Sequence, residues 1–214
     1  MIKIIGLVFF IFVVGCAPKI VDLNSLCKNI HNSYECAQKI EKYQLSKYND
    51  YVKRVGNKLI LKINNKSDEI LEDSKKDTDE SVSYTFRDYL KDINSYLLGI
   101  HYWEGGSYYL INWNSGESIL IPGLIKISPN LSRIVSYNID IEARYSVNGF
   151  VIYKLTDGSF IKEFEIELDD WGPSNAKWIN NNQIEFEKTG WTGSQVSVIG
   201  KVRYEYSDKW KVID

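Results

Sequence analysis

Histidine is nearly missing from this chain: His31 and His101 are the only two in 214 residues. That scarcity excludes a His-rich zinc site and leaves a single imidazole with any catalytic placement. His31 falls at a break between helical stretches. His101 lies in the aromatic run Ile100-His101-Tyr102-Trp103, where packing is a better reading than a catalytic pairing with Glu104 and Ser107. No serine sits in a Gly-x-Ser-x-Gly turn, so a nucleophile elbow is absent. Gly105-Gly106 lacks the helix and the lysine that a phosphate loop needs. Charge of one sign is also lacking: 26 Lys and Arg face 28 Asp and Glu, too balanced for nucleic-acid binding by bulk electrostatics. Residues 68–80 are locally acidic, with Asp77 and Asp79 alternating, but they hold no glycine for the bend of a calcium loop. They read as a solvated hairpin tip. No cofactor and no metal is expected.

Long hydrophobic runs are missing too. The longest, Ile4–Val14, spans eleven residues, short of the about 20 that cross a bilayer as a helix. It follows the single charge Lys3 and ends in Val13-Val14-Gly15-Cys16, the order of a charged n-region, an apolar h-region and a small residue at a cleavage point. The last four residues resemble the lipobox of bacterial lipoproteins. That resemblance implies a signal peptide at residues 1–15 and a lipidated N-terminal Cys16, with residues 16–22 as a tether. It further implies attachment to the membrane through several acyl chains, which together make anchoring effectively permanent. Ala17 stands where an aspartate would resemble an inner-membrane retention signal, so the expected address is the outer membrane, facing the periplasm. Without residues 1–15 the formal charge moves from −2 to −3, because Lys3 is the only charge removed.

With Cys16 assigned to lipid, Cys27 and Cys36 remain as an even pair in a compartment where disulfides persist. One continuous helix would hold them about 13.5 Å apart, too far to bridge. A break at His31-Asn32-Ser33, with Asn32 and Glu35 spaced as a capping box, allows two helical pieces to be stapled. Helical spacing runs through residues 23–48. Beyond them, Tyr, Ile, Ser and Asn dominate, a composition that suits strands and polar turns. Strands are expected near 52–55 and 59–63, and from residue 82 the chain becomes a succession of short strands with regular turns. The fold class is mainly β and antiparallel over 49–214, with a disulfide-stapled helical segment before it.

Tyr109–Gly116 aligns with Val151–Gly158, forty-two residues later. Ile127–Ser136 aligns with Trp178–Phe186 in the same way, and a fainter copy begins at Leu59–Lys66. In rhythm such units resemble β-propeller blades, so either propeller-like blades or one twisted sheet is expected, with three units counted.

No catalytic set emerges. Asp169-Asp170-Trp171-Gly172-Pro173 reads as an acidic, aromatic loop interrupting the second unit. Carboxylates beside an indole suit a sugar site, with Trp103, Trp178 and Trp191 as further aromatic surfaces. The same loop, with Trp103 and Trp191, equally offers rigid anchors for a protein partner. A non-catalytic envelope lipoprotein that binds a protein, in an inhibitory, immunity-type or structural role, is the first expectation. A carbohydrate- or cell-wall-binding domain is the second, and a hydrolase the third.

Overall fold

The computed structural model describes residues 22–74, 80–190, 195–205 and 209–213; Cys16 and Trp191 lie outside them. A 3-10 turn, Leu23–Cys27, precedes helix α1 (Ser33–Lys47). Asn32 opens α1 as its N-cap: its side-chain oxygen accepts from the amides of Tyr34 (2.9 Å) and Glu35 (3.0 Å), which otherwise have no partner within the helix. The chain reverses ahead of it at Asn29, in the left-handed region at φ 73°. Cys27 and Cys36 thereby come to a Cα separation of 5.2 Å and form a disulfide.

Among the described residues fifteen strands follow in four antiparallel sheets, each built from consecutive strands. The first sheet holds β1 (Val52–Val55), β2 (Lys58–Leu61) and β3 (Glu69–Glu72). The second holds β4 (Val82–Leu90), β5 (Ser95–Tyr102), β6 (Gly106–Asn112) and β7 (Ser118–Ile121). The third holds β8 (Leu124–Ile127), β9 (Arg133–Asn138), β10 (Gly149–Thr156) and β11 (Ser159–Glu167). The fourth holds β12 (Trp171–Asn180), β13 (Gln183–Gly190), β14 (Gln195–Glu205) and β15 (Lys209–Ile213).

Alternation along the strands stacks these sheets. Tyr96 and Leu98 of β5 face the first sheet and meet Leu59 and Leu61. Leu97, between them, faces the other way and joins Leu110, Ile134 and Val151. In β10, Val151 serves that second core while Phe150 and Ile152 turn towards Ile184, Phe186 and Trp210 of the fourth sheet. The two middle sheets are thus buried on both faces, which the period-2 geometry of a strand allows when both neighbours are apolar.

Helix α1 fastens to this stack through polar groups. The free edge of β4 would leave its backbone groups unpaired, and side chains occupy it instead. The Tyr84 amide donates to Asp73 (2.8 Å) and the Phe86 amide to Glu41 (2.7 Å). The Tyr84 carbonyl accepts from Arg54, and the Arg87 carbonyl from Gln44 (2.8 Å). Arg54 forks between Glu41 (2.9 and 3.0 Å) and Asp73 (3.1 Å). Four side chains therefore do for β4 what a neighbouring strand does for β5.

Two expectations change here. The acidic tip expected over 68–80 contains a strand, β3, whose Ile70 and Leu71 pair with Ile60 and Leu59; Asp73 then enters the Arg54 network. Asp77 and Asp79 lie outside the described residues. The three repeat units are four sheets, and Asp169-Asp170 joins the third to the fourth rather than interrupting one. Gly172 and Pro173 lie within β12, an edge strand on which proline's missing N–H is tolerated. The aligned segments do occupy equivalent places: Tyr109–Gly116 and Val151–Gly158 are each a third strand and its turn. Those turns also touch, Ser115 Oγ donating to the Gly158 carbonyl (2.6 Å).

Candidate functional site

The opposite end of the stack carries the longer connections: the β5–β6 turn at 103–105, the β9–β10 loop at 139–148 and the 168–170 link. Their conformations are held from within. Asp140 accepts from the amides of Arg144 (3.0 Å) and Ser146 (2.7 Å) and from the Ser146 hydroxyl (3.2 Å). Asn148, nearly buried, donates to the carbonyls of Leu168 and Trp171 and accepts from the Asp140 amide. One asparagine therefore ties the long loop to the inter-sheet link. Asn138 closes the loop's base by donating to Ser146 Oγ (2.8 Å) and the Val147 carbonyl (3.3 Å).

On this frame stand exposed aromatics. Tyr102 is 43% exposed, Trp103 63% and Tyr145 58%, and the two loops carrying them touch. Gly105, at φ +78°, leaves no room for a side chain: a Cβ there would lie 2.9 Å from the Cβ of Tyr145. Glu104 accepts the Tyr145 hydroxyl's hydrogen bond and its charge holds that phenol above its ordinary pKa. Trp103 and Tyr145 are therefore exposed on two loops that meet at Gly105.

Beneath the long loop is a cavity of about 550 Å³, lined by Asp140, Arg144, Tyr145, Tyr153, Lys162 and Asp169 among others. Burial raises the Tyr153 hydroxyl's pKa, and the ion pair with Glu165 (2.6 Å) raises that of Lys162. A second cavity, of about 320 Å³, adjoins it and shares Ser107, Pro122, Asp140 and Ser146. His101 lines that second cavity. Burial, and then the neighbouring Arg87 charge, push its pKa below the ordinary histidine value.

The residues singled out from sequence divide on this end of the molecule. Trp103 is exposed on the β5–β6 turn and lines neither cavity. Asp169 lines the large cavity with its carboxylate almost wholly exposed, 3.9 Å from Arg144. Asp170 is exposed but does not line it. Trp171 follows, yet its ring is stacked on Phe186 (5.6 Å between centroids) with the Lys188 ammonium 5.0 Å from its centre. Trp178 is far from this end: its indole N–H donates to the Lys126 carbonyl (2.9 Å) and its ring meets Trp210 edge-on. Trp191 follows Gly190, where β13 ends, and lies outside the described residues.

Sequence reasoning missed Tyr145, Asn148 and Arg87. Tyr145 carries no local signal, being one of fifteen tyrosines. Asn148 was findable in principle, since Asn138, Asp140, Ser146 and Asn148 cluster as loop-forming side chains do. Arg87 depends on a bulge that sequence does not announce.

Among the described residues no group of three or more His, Cys, Asp or Glu is placed to hold a metal ion. No helix of those residues is long and apolar enough to cross a membrane. No family model, curated protein or solved structure matches the chain.

Proposed function

We propose that this protein is a lipid-anchored component of the cell envelope, tethered through Cys16, that binds a protein partner at its loop end without catalysing a reaction. The observation that supports this reading is the exposure of Trp103 and Tyr145 on two loops that meet at Gly105, the longer of them fixed by Asp140 and Asn148. Large aromatics with few rotatable bonds carry most of the energy of protein interfaces, and pre-ordered loops reduce the entropy lost on docking. The anchor rests on the lipobox-like Val13-Val14-Gly15-Cys16, and it places the partner in the envelope.

A glycan partner is the second reading, favoured by Asp169 on the wall of the large cavity. It is weaker because Trp171, the aromatic next to Asp169 and Asp170, already spends its ring on Phe186 and Lys188.

The test is capture from envelope extract by the full chain, by Trp103→Ala/Tyr145→Ala and by Ile179→Ala, which alters an exposed side chain at the far end. The expected result is a protein retained by the wild type and the Ile179 variant and lost by the double variant. Retention on peptidoglycan, with no protein whose capture depends on Trp103 and Tyr145, would replace this reading with the second. For the anchor, an alkyne fatty acid fed to expressing cells should label the wild type and not Cys16→Ser. Equal labelling of both would refute it.

A further inference from the structure

The smaller cavity holds an arginine without an ion pair among the described residues, beside a histidine kept neutral by burial. On β4 the register passes from Phe86↔Leu98 directly to Asp88↔Leu97, so Arg87 is the extra residue of a bulge. Bulges re-aim side chains and recur beside binding sites. Here α1 clamps the bulge through the Gln44–Arg87 carbonyl bond. The Arg87 guanidinium lies 5.6 Å from the centre of the Tyr108 ring and makes no ion pair among the described residues.

Beside it is His101, whose Nε2 shares a hydrogen bond with Thr85 Oγ1 (2.9 Å) and whose ring meets the edge of Tyr34 at 5.0 Å. The space over this face exists because Gly99 stands in the row Thr85–Gly99–Tyr108. A side chain at Gly99 would fall 2.8 Å from Thr85 Oγ1 and 3.2 Å from the imidazole. The one carboxylate on the cavity wall, Asp140, is occupied by its three loop hydrogen bonds. Ser107 and Ser146 add hydroxyls to the same wall.

We propose that this cavity is a carboxylate-binding pocket, in which Arg87, supported on Tyr108 and flanked by His101, receives an acidic side chain of the docked protein partner. The partner's part rests on the reading of the loop end as a docking surface. A guanidinium fork matches a carboxylate in geometry and charge. Gly105 of the loop that carries Trp103, and Asp140 and Ser146 of the loop that carries Tyr145, line the pocket, so a partner docked on those loops lies next to it.

Histidine scarcity makes the test clean, because the chain has one imidazole in the pocket and one, His31, exposed outside it. The groups facing His101 are Arg87 of β4, Asp73 before β4, Tyr34 of α1, Tyr108 of β6 and Asp140 of the long loop. A bound carboxylate adds negative charge to that set and must raise the His101 titration midpoint, by about one pH unit for an anion within contact distance. The detergent-solubilised full chain, labelled with 13C at histidine, is titrated with sodium acetate and separately with inorganic phosphate at constant ionic strength. Expected is a saturable rise in the His101 midpoint with acetate, no movement of His31, and binding at least about tenfold weaker in Arg87→Gln. Arg87→Lys, which keeps the charge without the fork, should fall between them.

A His101 midpoint that moves no more than that of His31, or an unchanged response in Arg87→Gln, would overturn the pocket. Saturation by phosphate well before acetate would overturn the carboxylate assignment. The titration needs no partner: a negative titration beside a Trp103-dependent capture removes only the pocket, whereas acetate binding without any such capture removes the docked side chain.

Discussion

Replacing Glu41 should unfasten helix α1 from the sheets. Its carboxylate accepts three hydrogen bonds: two from Arg54 and one from the buried amide of Phe86. Its side chain is 11% exposed and that of Arg54 19%, so solvent replaces little of what is lost. Glu41→Ala leaves the Phe86 N–H without a partner, at about 1–3 kcal/mol, and removes hydrogen bonds to a charged group at about 1.5–3 kcal/mol. Arg54 keeps Asp73, so the two losses do not reach the upper limit for a broken buried pair, about 5 kcal/mol. A net destabilisation of about 3 kcal/mol follows. It should appear as a lower urea midpoint at unchanged slope, together with rapid hydrogen exchange at the Phe86 amide. In a cycle with Arg54→Ala, the double variant should be less destabilised than the sum, because each single change strands the other partner. A loss under about 1 kcal/mol, or a Phe86 amide that stays protected, would refute the claim that side chains stand in for a strand along β4.

Three further outcomes are expected. Cys27→Ser/Cys36→Ser should cost about 2.7 kcal/mol, the chain-entropy value for a loop of this length; a thermal midpoint indifferent to reducing agent would contradict it. Ile152→Ala, at a side chain with no exposed surface, should cost about 2–5 kcal/mol, while Ile179→Ala, 47% exposed, should stay within about 0.5 kcal/mol. His101 is depressed in the folded state, so the unfolded chain binds more protons. Stability should therefore fall as pH drops through about 6.5, the unfolded value, and level off once the folded group is also protonated. His101→Gln should flatten that slope in urea midpoints measured between about pH 5 and 8, and an unaltered slope would exclude His101 as its source.

Much of the fold was legible because the physics was local. Asn32 and Glu35 announce the helix start, and Asp157-Gly158 and Asn180-Asn181-Asn182 announce turns. The alternation in Leu97-Leu98 and Phe150-Val151-Ile152 cannot be read from hydropathy, since both faces are apolar, yet a continuous apolar run is itself the mark of a doubly covered strand. What failed was long-range. β3 is four residues with acids at both ends, and only its pairing with Leu59 and Ile60 makes it a strand. Trp171 looked available beside two aspartates, but Phe186, fifteen residues on, claims its ring. The second cavity needs a bulge, a glycine from the next strand and a loop forty residues away, and no window of sequence contains all three.

The order of the sheets has a consequence for how the chain is made. Each sheet is one contiguous stretch, and each core joins only sheets adjacent in sequence. Contacts of that kind let a structure grow from one end. A chain emerging N-terminus first can complete the first two sheets, with α1 and its disulfide, while the last is still arriving. Until β12–β15 dock, Phe150 and Ile152 present an open greasy wall, so the third sheet is where an arrested or truncated copy would stick to its neighbours.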